Sequence, residues 1–358
     1  MTTITVVPGD GVGPEVIAEA VETLRAVDLG LTFDTLDHIN ADTWLRTGVA
    51  MSDADFERIR SSSATLLGAV GDPRVTTQDY ARSVLLRLRF DLELYINLRP
   101  ARLLHDRLSP LRDEAERAID CVIIRENTEG LYAGIGGQLR PSTSAEIAID
   151  AEVNTYLGVS RAMDFAFRIA RRDVCLVDKS NAVRYGGALW QRCFAEAQRR
   201  HPDVPTSHLY VDAAAMKLVS QPTRFDVIVC NNSYGDILSD IAAEIAGGLG
   251  TAASVNFNPD TGFGVYEPVH GSAPDIVGRG VANPLAAILT ASLLAERLGH
   301  PAEAEAIGAA VRATVAAGVC TPDLGGSHGT AEVGAAVRAH LAGAGDGGDA
   351  RPLARVAR

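Results

Sequence analysis

The 358-residue sequence predicts an α/β fold, with two domains built on a largely parallel sheet. Its length exceeds what one small hydrophobic core organises. Short β-branched runs alternate with longer helical stretches, and each run ends in polar turn residues instead of a tight hairpin. That pattern is typical of buried parallel strands covered by helices on both faces. The predicted strands are residues 4–7, 64–67, 121–124, 174–177 and 227–230.

Two helices are marked at their starts by proline. Pro14 lies in the first turn of a predicted helix over residues 13–27. Asn283 and Pro284 precede an apolar helix that runs to about Arg297. Residues 342–358 are rich in glycine and alanine and end in basic residues, so they are predicted to form a disordered tail.

Composition excludes several classes of function. A net charge of −12 argues against a nucleic-acid or anionic-membrane partner, because either needs a basic surface. The longest apolar run, residues 285–295, is shorter than the roughly 18 residues of a membrane span. Five cysteines without C-x-x-C spacing indicate reduced thiols. With no secretory signal before the first predicted strand, the sequence predicts a cytoplasmic protein.

A glycine-rich turn follows the first predicted strand. Gly9-Asp10-Gly11-Val12-Gly13 is similar to a dinucleotide-binding fingerprint, but its last glycine comes one residue early and Pro14 occupies the expected position. The pattern therefore favours a tight strand-to-helix turn, in which glycine permits positive φ angles.

Two carboxylates four residues apart indicate a metal site. Asp236 and Asp240 share one face of a predicted helix, where they repel each other unless a cation lies between them. Oxygen ligands of this kind suit Mg2+ or Mn2+. Asp212 is a candidate third ligand. A solvated acidic helix face, or a helix cap for Asp212, are the alternatives.

Basic residues at the ends of apolar segments suggest an anionic substrate. Arg89, Arg99 and Arg125 can each hold a carboxylate through two hydrogen bonds, although each also suits a structural salt bridge. Lys179 follows a predicted buried strand and is a candidate base. Tyr132 is a candidate proton donor. A surface lysine and a packed tyrosine are the simpler alternatives.

Six motifs in this order make the sequence resemble the isocitrate and isopropylmalate dehydrogenases, the β-decarboxylating dehydrogenase family. The resemblance runs from Gly9 to about Gly334. It implies an isopropylmalate-dehydrogenase-like fold that differs from the standard Rossmann fold. Residues 1–99 and 256–341 would form a cofactor-binding domain, and residues 100–255 a domain for substrate, metal and dimerisation. The motifs are GDGVGPE (9–15), NLRP (97–100), RENTEGLY (125–132), DKSN (178–181), GDILSD (235–240) and EPVHGSAPDI (267–276).

The resemblance implies a role for each polar residue named above. The three arginines match the positions that hold the malate carboxylates, and the three aspartates match the Mg2+ or Mn2+ ligands. Tyr132 matches the proton donor and Lys179 the base. Lys179, Asn181 and Asp212 match residues that family members supply from a second subunit. A homodimer with shared active sites is therefore implied.

The resemblance also places the cofactor. It implies NAD binding on the loop that matches residues 270–276, with Asn283 at the adenine and Asn181 near the nicotinamide. Asp275 can accept hydrogen bonds from ribose hydroxyls and repels a 2′-phosphate, whereas relatives that use NADP carry a Lys-Tyr pair there. The implied loop contacts are His270, Gly271, Ser272, Ala273, Asp275 and Ile276.

The implied reaction oxidises a 3-substituted malate and releases CO2. Leu85 and Leu86 match the leucine pair that grips an isopropyl group, which favours the conversion of 3-isopropylmalate to 2-oxoisocaproate in leucine biosynthesis. Ser83 falls where isocitrate enzymes bind a third carboxylate, and Arg82 can reach an anionic substituent. Isocitrate, homoisocitrate, tartrate, D-malate or a malate of secondary metabolism therefore stay open. A non-catalytic paralogue and a dehydrogenase without decarboxylation are the other classes.

Overall fold

The computed structural model describes residues 2–343, whose core is one ten-stranded sheet. The sheet order is β2-β1-β3-β12-β11-β4-β5-β10-β8-β9, and β6 and β7 form a separate hairpin. The strands are β1 (Thr2–Gly9), β2 (Leu31–Thr35), β3 (Ala64–Ala69), β4 (Ile96–Arg102), β5 (Asp120–Glu126), β6 (Gly136–Leu139), β7 (Ile147–Asp150), β8 (Val174–Asp178), β9 (Thr206–Tyr210), β10 (Val227–Cys230), β11 (Ala253–Phe257) and β12 (Gly264–Pro268).

Helices cover both faces of the sheet. A short π-helical segment, Arg82–Leu86, joins α4 to α5. The helices are α1 (Gly13–Ala26), α2 (Ala41–Thr47), α3 (Asp53–Ser61), α4 (Asp79–Ala81), α5 (Arg87–Asp91), α6 (Tyr156–Ile169), α7 (Arg184–Arg200), α8 (Val211–Ser220), α9 (Asn232–Ile245), α10 (Leu285–Arg297), α11 (Pro301–Ala316) and α12 (Thr330–Gly343).

The predicted strands and helices are confirmed. Each of the five predicted strands lies within an observed strand, and β3, β8 and β10 are buried at every position because helices cover both of their faces. Helix α10 begins directly after Asn283 and Pro284, and the Leu285 N–H donates to the Asn283 side chain at 3.0 Å. Every residue of α10 before Arg297 is buried, so this apolar helix forms part of the core.

The sheet is parallel at both ends and antiparallel at its centre. Strand β4 pairs antiparallel with β5 and β11, and β11 pairs antiparallel with β12, whereas all other pairings in this sheet are parallel. The α/β class with a largely parallel sheet is thus confirmed. The predicted domain boundaries at 99/100 and 255/256 fall inside β4 and β11. Both halves therefore share one sheet, and their division into two domains stays a prediction.

The glycine-rich turn after β1 packs against another loop. Gly9 and Gly11 have φ angles of 73° and 59°. A Cβ on Gly11 would lie 1.9 Å from the Ser272 carbonyl oxygen, and this same oxygen accepts the Val12 N–H at 2.9 Å. The turn thus holds the 270–276 loop in place, in keeping with the tight turn predicted from its spacing.

The β6–β7 hairpin is exposed at every residue, which the sequence did not predict. Leu139, Ile147 and Ile149 are among its exposed side chains. A two-stranded hairpin is marginally stable alone, and apolar groups clustered on a surface mark a site of contact with another molecule. The hairpin is therefore a candidate interface.

Three further findings concern the ends of the chain, the thiols and membranes. Ala342 and Gly343 are the last residues of α12, and the rest of the predicted tail, 344–358, lies outside the described residues. All five cysteines are free and buried. Between residues 2 and 343, no helix has the length and apolar character needed to span a membrane.

Gly235 allows α9 to approach β5 closely. A Cβ on Gly235 would lie 2.5 Å from the Cβ of Arg125 and 3.2 Å from its Cα. Such contacts cannot be relieved by a side-chain rotation, because they involve the backbone and the root of the side chain. Position 235 therefore requires glycine.

We predict that Gly235→Ala lowers stability by about 1–3 kcal/mol, because overpacking forces α9 away from β5. Thermal and urea unfolding of the purified protein measure the loss. Gly343→Ala is the matched control, since a Cβ at the end of α12 meets nothing within 4 Å. Equal midpoints for Gly235→Ala and the wild type would contradict the close approach.

Candidate active site

A pocket of about 520 Å³ opens between the α4–α5 segment and the loop after β5. The π-helical segment places Leu85 and Leu86 at the wall of this pocket. Single π-helical turns within α-helices are frequent at functional sites. Ala81 and Leu131 complete its apolar walls. Ser83 lies on the same turn, but its hydroxyl donates to the Tyr80 carbonyl at 2.8 Å and it does not line the pocket. The polar groups at its wall are Gln78, Arg82, Arg89, Tyr132 and Asp150.

The structure brings the three predicted arginines together beside this pocket. Arg99 and Arg125 lie on the adjacent strands β4 and β5, and Arg89 comes from α5. Arg125 is 2% exposed. Burial lowers the pKa of Arg125 to about 9, and the positive charges of Arg99 and Arg89 act in the same direction. Burial likewise lowers the pKa of Arg99. Three clustered guanidinium groups supply many hydrogen-bond donors at one place, an arrangement that suits a ligand with several carboxylates.

Some of the arginine hydrogen-bonding capacity is unused. Arg89 Nη2 donates to Glu267 at 3.2 Å, and Arg99 Nη1 donates to the Ser239 hydroxyl at 2.7 Å. The Nε atoms of both Arg89 and Arg99 are buried and have no partner within residues 2–343. A buried donor without a partner costs about 1–3 kcal/mol, so these atoms favour an acceptor such as a carboxylate.

Asp236 and Asp240 lie on α9, next to the arginines. Arg125 Nη1 donates to Asp236 Oδ1, and Arg99 Nη2 is 3.4 Å from the same oxygen. Arg99 Nη1 is 3.5 Å from Asp240 Oδ1. Burial raises the pKa of Asp240, and Arg99 opposes this shift. The two carboxylates thus lie one turn apart on α9, and Arg99 lies within 3.5 Å of both.

Tyr132 lies on the other side of Asp236. Its hydroxyl donates to Asp236 Oδ2 at 3.2 Å, and its ring lies 5.5 Å from the Arg125 guanidinium carbon. Burial raises the pKa of Tyr132, and the Asp236 charge adds to the effect. The phenol therefore keeps its proton near neutral pH.

Lys179 and Asp212 form a separate pair. The Lys179 ammonium donates to Asp212 Oδ1 at 2.7 Å, and this hydrogen bond lowers the pKa of Asp212. Within residues 2–343, no three side chains of the metal-binding types converge on a point that a metal ion can occupy. One chain thus presents Asp236 and Asp240 without Asp212. The exposed Asn181 follows Lys179 in the loop after β8.

A second pocket, of about 410 Å³, lies at the 270–276 loop. Ala273 and Ile276 give it apolar walls, and Gly271 also lines it. His270 Nδ1 donates to the Gly271 carbonyl at 3.0 Å, while its Nε2 is buried and has no partner in the described chain. Burial lowers the pKa of His270, so the neutral ring presents Nε2 as an acceptor. An apolar slot with a free acceptor suits a planar heterocycle.

Other residues of the loop have different surroundings. Asp275 is exposed, beside Ile276. Asn283 lines the pocket and donates from Nδ2 to Asp323 Oδ2 at 2.9 Å. Ala273 adopts the left-handed region, with φ of 41°, a conformation uncommon for residues with a side chain. Strain of this kind concentrates at functional sites.

Sequence reasoning did not identify four residues that hold the site together. Glu267 and Ser239 contact Arg89 and Arg99, Asn232 accepts from Arg125 Nε at 2.8 Å, and Asp323 contacts Asn283. Ser239 and Glu267 lie inside recognised motifs, but a motif does not show which distant residues its members contact. These contacts depend on the folded arrangement, and we find no signal in the sequence that announces them.

The sequence is similar to proteins of one known enzyme family. The sequence profile described as isocitrate/isopropylmalate dehydrogenase matches residues 3–337. The 3-isopropylmalate dehydrogenase of Thermobifida fusca (strain YX) is 48% identical over 316 residues, covering 86% of this chain and 89% of that protein. The 3-isopropylmalate dehydrogenase of Leifsonia xyli subsp. xyli is 48% identical over 325 residues, covering 88% of this chain and 90% of that protein.

Solved structures give the same result. The isocitrate dehydrogenase from Methylococcus capsulatus has a TM-score of 0.85 and 35% identity, over 95% of this chain and 99% of that chain. A β-decarboxylating dehydrogenase from Thermococcus kodakarensis, in its apo form, has a TM-score of 0.80 and 36% identity, over 96% and 97% of the two chains. With this profile match, these identities and a shared fold, the chain belongs to the isocitrate/isopropylmalate dehydrogenase family.

Proposed function

We propose that the chain catalyses the NAD-dependent oxidative decarboxylation of 3-isopropylmalate to 2-oxoisocaproate in leucine biosynthesis. The observation that carries the proposal is the cluster of Arg89, Arg99 and Arg125 beside an apolar pocket and a carboxylate pair. The relatives reported above that are named 3-isopropylmalate dehydrogenases support the choice of substrate.

Substrate recognition divides between the arginines and the pocket. Arg89, Arg99 and Arg125 bind the two malate carboxylates, with the unpartnered Nε atoms supplying donors. Leu85 and Leu86 contact the C3 substituent. An apolar wall favours a branched alkyl group, because each buried CH2 contributes about 0.8 kcal/mol.

A divalent cation fits the carboxylates. Asp236 and Asp240 of one chain, with Asp212 of a second copy, would hold Mg2+ or Mn2+, because all three supply the oxygen ligands that these ions prefer. Bound there, the ion would act as a Lewis acid that stabilises negative charge on the C2 oxygen. Burial raises the pKa of Asp240 and the charge of Asp236 adds to this shift, so a cation beside the two carboxylates would stabilise their ionised form.

Lys179 and Tyr132 move the protons. Lys179, as the neutral amine, would accept the proton of the C2 hydroxyl, and a bound nicotinamide would supply the acceptor for the hydride of C2. The C3–carboxylate bond then breaks and CO2 leaves, since the 2-oxo group accepts the electron pair. Tyr132 donates a proton to C3, since a phenol carries its proton at neutral pH.

The proposal includes a homodimer with shared active sites. Asp212 bonds Lys179, and the described chain does not bring these two residues into a group with Asp236 and Asp240. A second copy that contributes Lys179, Asn181 and Asp212 completes the site. The exposed apolar residues of the β6–β7 hairpin support this assembly, because dimerisation would cover them.

The cofactor in this proposal is NAD. The pocket of about 410 Å³ fits an adenine, with His270 Nε2 as acceptor and Asn283 at its wall. Ser272 and Ala273 shape the backbone of the loop that faces the cofactor. Asp275, exposed on the same loop, accepts from the ribose hydroxyls and repels a 2′-phosphate.

We predict that the purified protein reduces NAD in the presence of Mg2+ or Mn2+ when supplied with 3-isopropylmalate, with release of one CO2 per NADH. EDTA abolishes turnover, and the added metal restores it, because charge at the C2 oxygen needs a cation. NADH absorbance and CO2 release measure this. Full activity after EDTA, or a preference for isocitrate or tartrate over 3-isopropylmalate, would overturn the proposal.

We predict that Lys179→Met and Tyr132→Phe each lower kcat about 10²–10⁴-fold while substrate binding changes little, because each removes a proton-transfer group. Steady-state kinetics and calorimetric titration separate the two effects. Lys217→Met is the control for the lysine, since Lys217 lies on α8 and donates a hydrogen bond to Gln221 just after that helix. Tyr156→Phe is the control for the tyrosine, since Tyr156 bonds Glu196 at the surface. Near-normal turnover in either active-site variant removes that residue from the mechanism.

We predict that kcat/KM for NAD exceeds that for NADP by about tenfold or more, because a carboxylate repels a 2′-phosphate by an amount on the order of 1 kcal/mol or more. Asp275→Asn is expected to lower the ratio of kcat/KM for NAD to kcat/KM for NADP, because it removes the negative charge. The exposed Asp203, between α7 and β9, provides a control with the same change of charge, Asp203→Asn. A wild-type preference for NADP would contradict the assigned role of Asp275.

A further inference from the structure

A buried carboxylate that the mechanism does not use lies directly before Lys179. Asp178, the last residue of β8, is only 3% exposed. An isolated buried carboxylate is strongly unfavourable, so its partners are informative. Three groups donate to it: the Ser180 N–H at 3.0 Å, Gln191 Nε2 at 2.7 Å and His208 Nε2 at 2.8 Å.

These contacts fix the turn that carries Lys179. The Ser180 N–H reaches back across Lys179 to Asp178 Oδ1, the same oxygen that accepts from His208. The Lys179 carbonyl accepts the N–H groups of Ala182 and Val183, both at 2.8 Å. The turn is thus held before Lys179 by the Asp178 carboxylate and after it by the N–H groups of Ala182 and Val183.

His208 also supports Lys179 from a second direction. It lies two residues before Tyr210 on β9, so both side chains project from one face of the strand. The His208 ring packs edge-on against Tyr210, with centroids 5.1 Å apart and planes at 89°. The Lys179 Nζ atom lies 5.9 Å from the centroid of that Tyr210 ring.

We propose that His208 is a positioning residue for Lys179. Through Asp178 it holds the turn that sets the direction of the lysine side chain, and through Tyr210 it holds the ring beside the ammonium group. The inference depends on the proposed role of Lys179 as the base. A misplacement on the order of 1 Å of a reacting group can lower a rate about 10²-fold, so a residue that fixes this turn affects turnover.

Three substitutions at one position test the hydrogen bond. His208→Ala removes it, and His208→Phe removes it while keeping the ring against Tyr210. His208→Gln retains an amide N–H for Asp178. We expect kcat to fall about tenfold or more for Ala and Phe, with KM for substrate and NAD within about twofold, and kcat to recover to within about threefold for Gln. The Phe variant also provides a measurement if the Ala variant does not fold.

His38 is the matched control, because its Nε2 contacts Asp55 Oδ1 at 3.0 Å in a histidine–aspartate pair on a different part of the chain. His38→Ala leaves kcat unchanged if the effect is specific. The inference is overturned if Ala and Phe variants turn over within about twofold of wild type, if Gln loses as much as Phe, or if His38→Ala causes an equal loss. A Lys179→Met enzyme that retains turnover contradicts the proposed function, whereas an inactive Lys179→Met with a normal His208→Phe contradicts this inference alone.

Discussion

The pairing of buried arginines with the carboxylates of α9 is the interaction on which the site depends. Arg125 is almost fully removed from water; Asp236 offsets its charge, and Asn232 accepts a hydrogen bond from its Nε. Breaking a buried pair by removing one partner typically costs about 3–5 kcal/mol, since it leaves an uncompensated charge. The need to bring α9 against β5 explains the glycine at 235. The carboxylates that stabilise the arginines are also those proposed to bind the cation, so the same charged groups serve both stability and catalysis.

Much of the fold could be predicted because its signals are local. Continuous apolar runs marked the buried parallel strands, proline in the first turn marked α1, and Asn283 with Pro284 marked α10. The antiparallel centre of the sheet and the β6–β7 hairpin could not be predicted. The pairing of β11 with β4 joins residues 255–257 to 96–98, and no local pattern encodes contacts at that separation. The hairpin is short and exposed, so it lacks the alternation that marks a half-buried strand.

The residues of the candidate site also include some that the sequence predicted and some that it did not. Residue type and spacing identified the arginines, Asp236 and Asp240, and the structure places them together. Partners such as Glu267 and Asp323 were not found, because each is brought to the site by the packing of distant segments. Asp212 was recognised as a candidate ligand, yet in this chain it bonds Lys179. Its spacing from Asp236 carries no information on whether one chain or two form the cation site.

The exposed β6–β7 hairpin has a consequence for how the molecule behaves in solution. Its strands bury nothing of their own, and the side chains of Leu139, Ile147 and Ile149 are exposed. If a second copy covers them, mass action links folding to assembly. Dilution then loosens this hairpin before it affects the ten-stranded sheet, and the melting temperature rises with protein concentration.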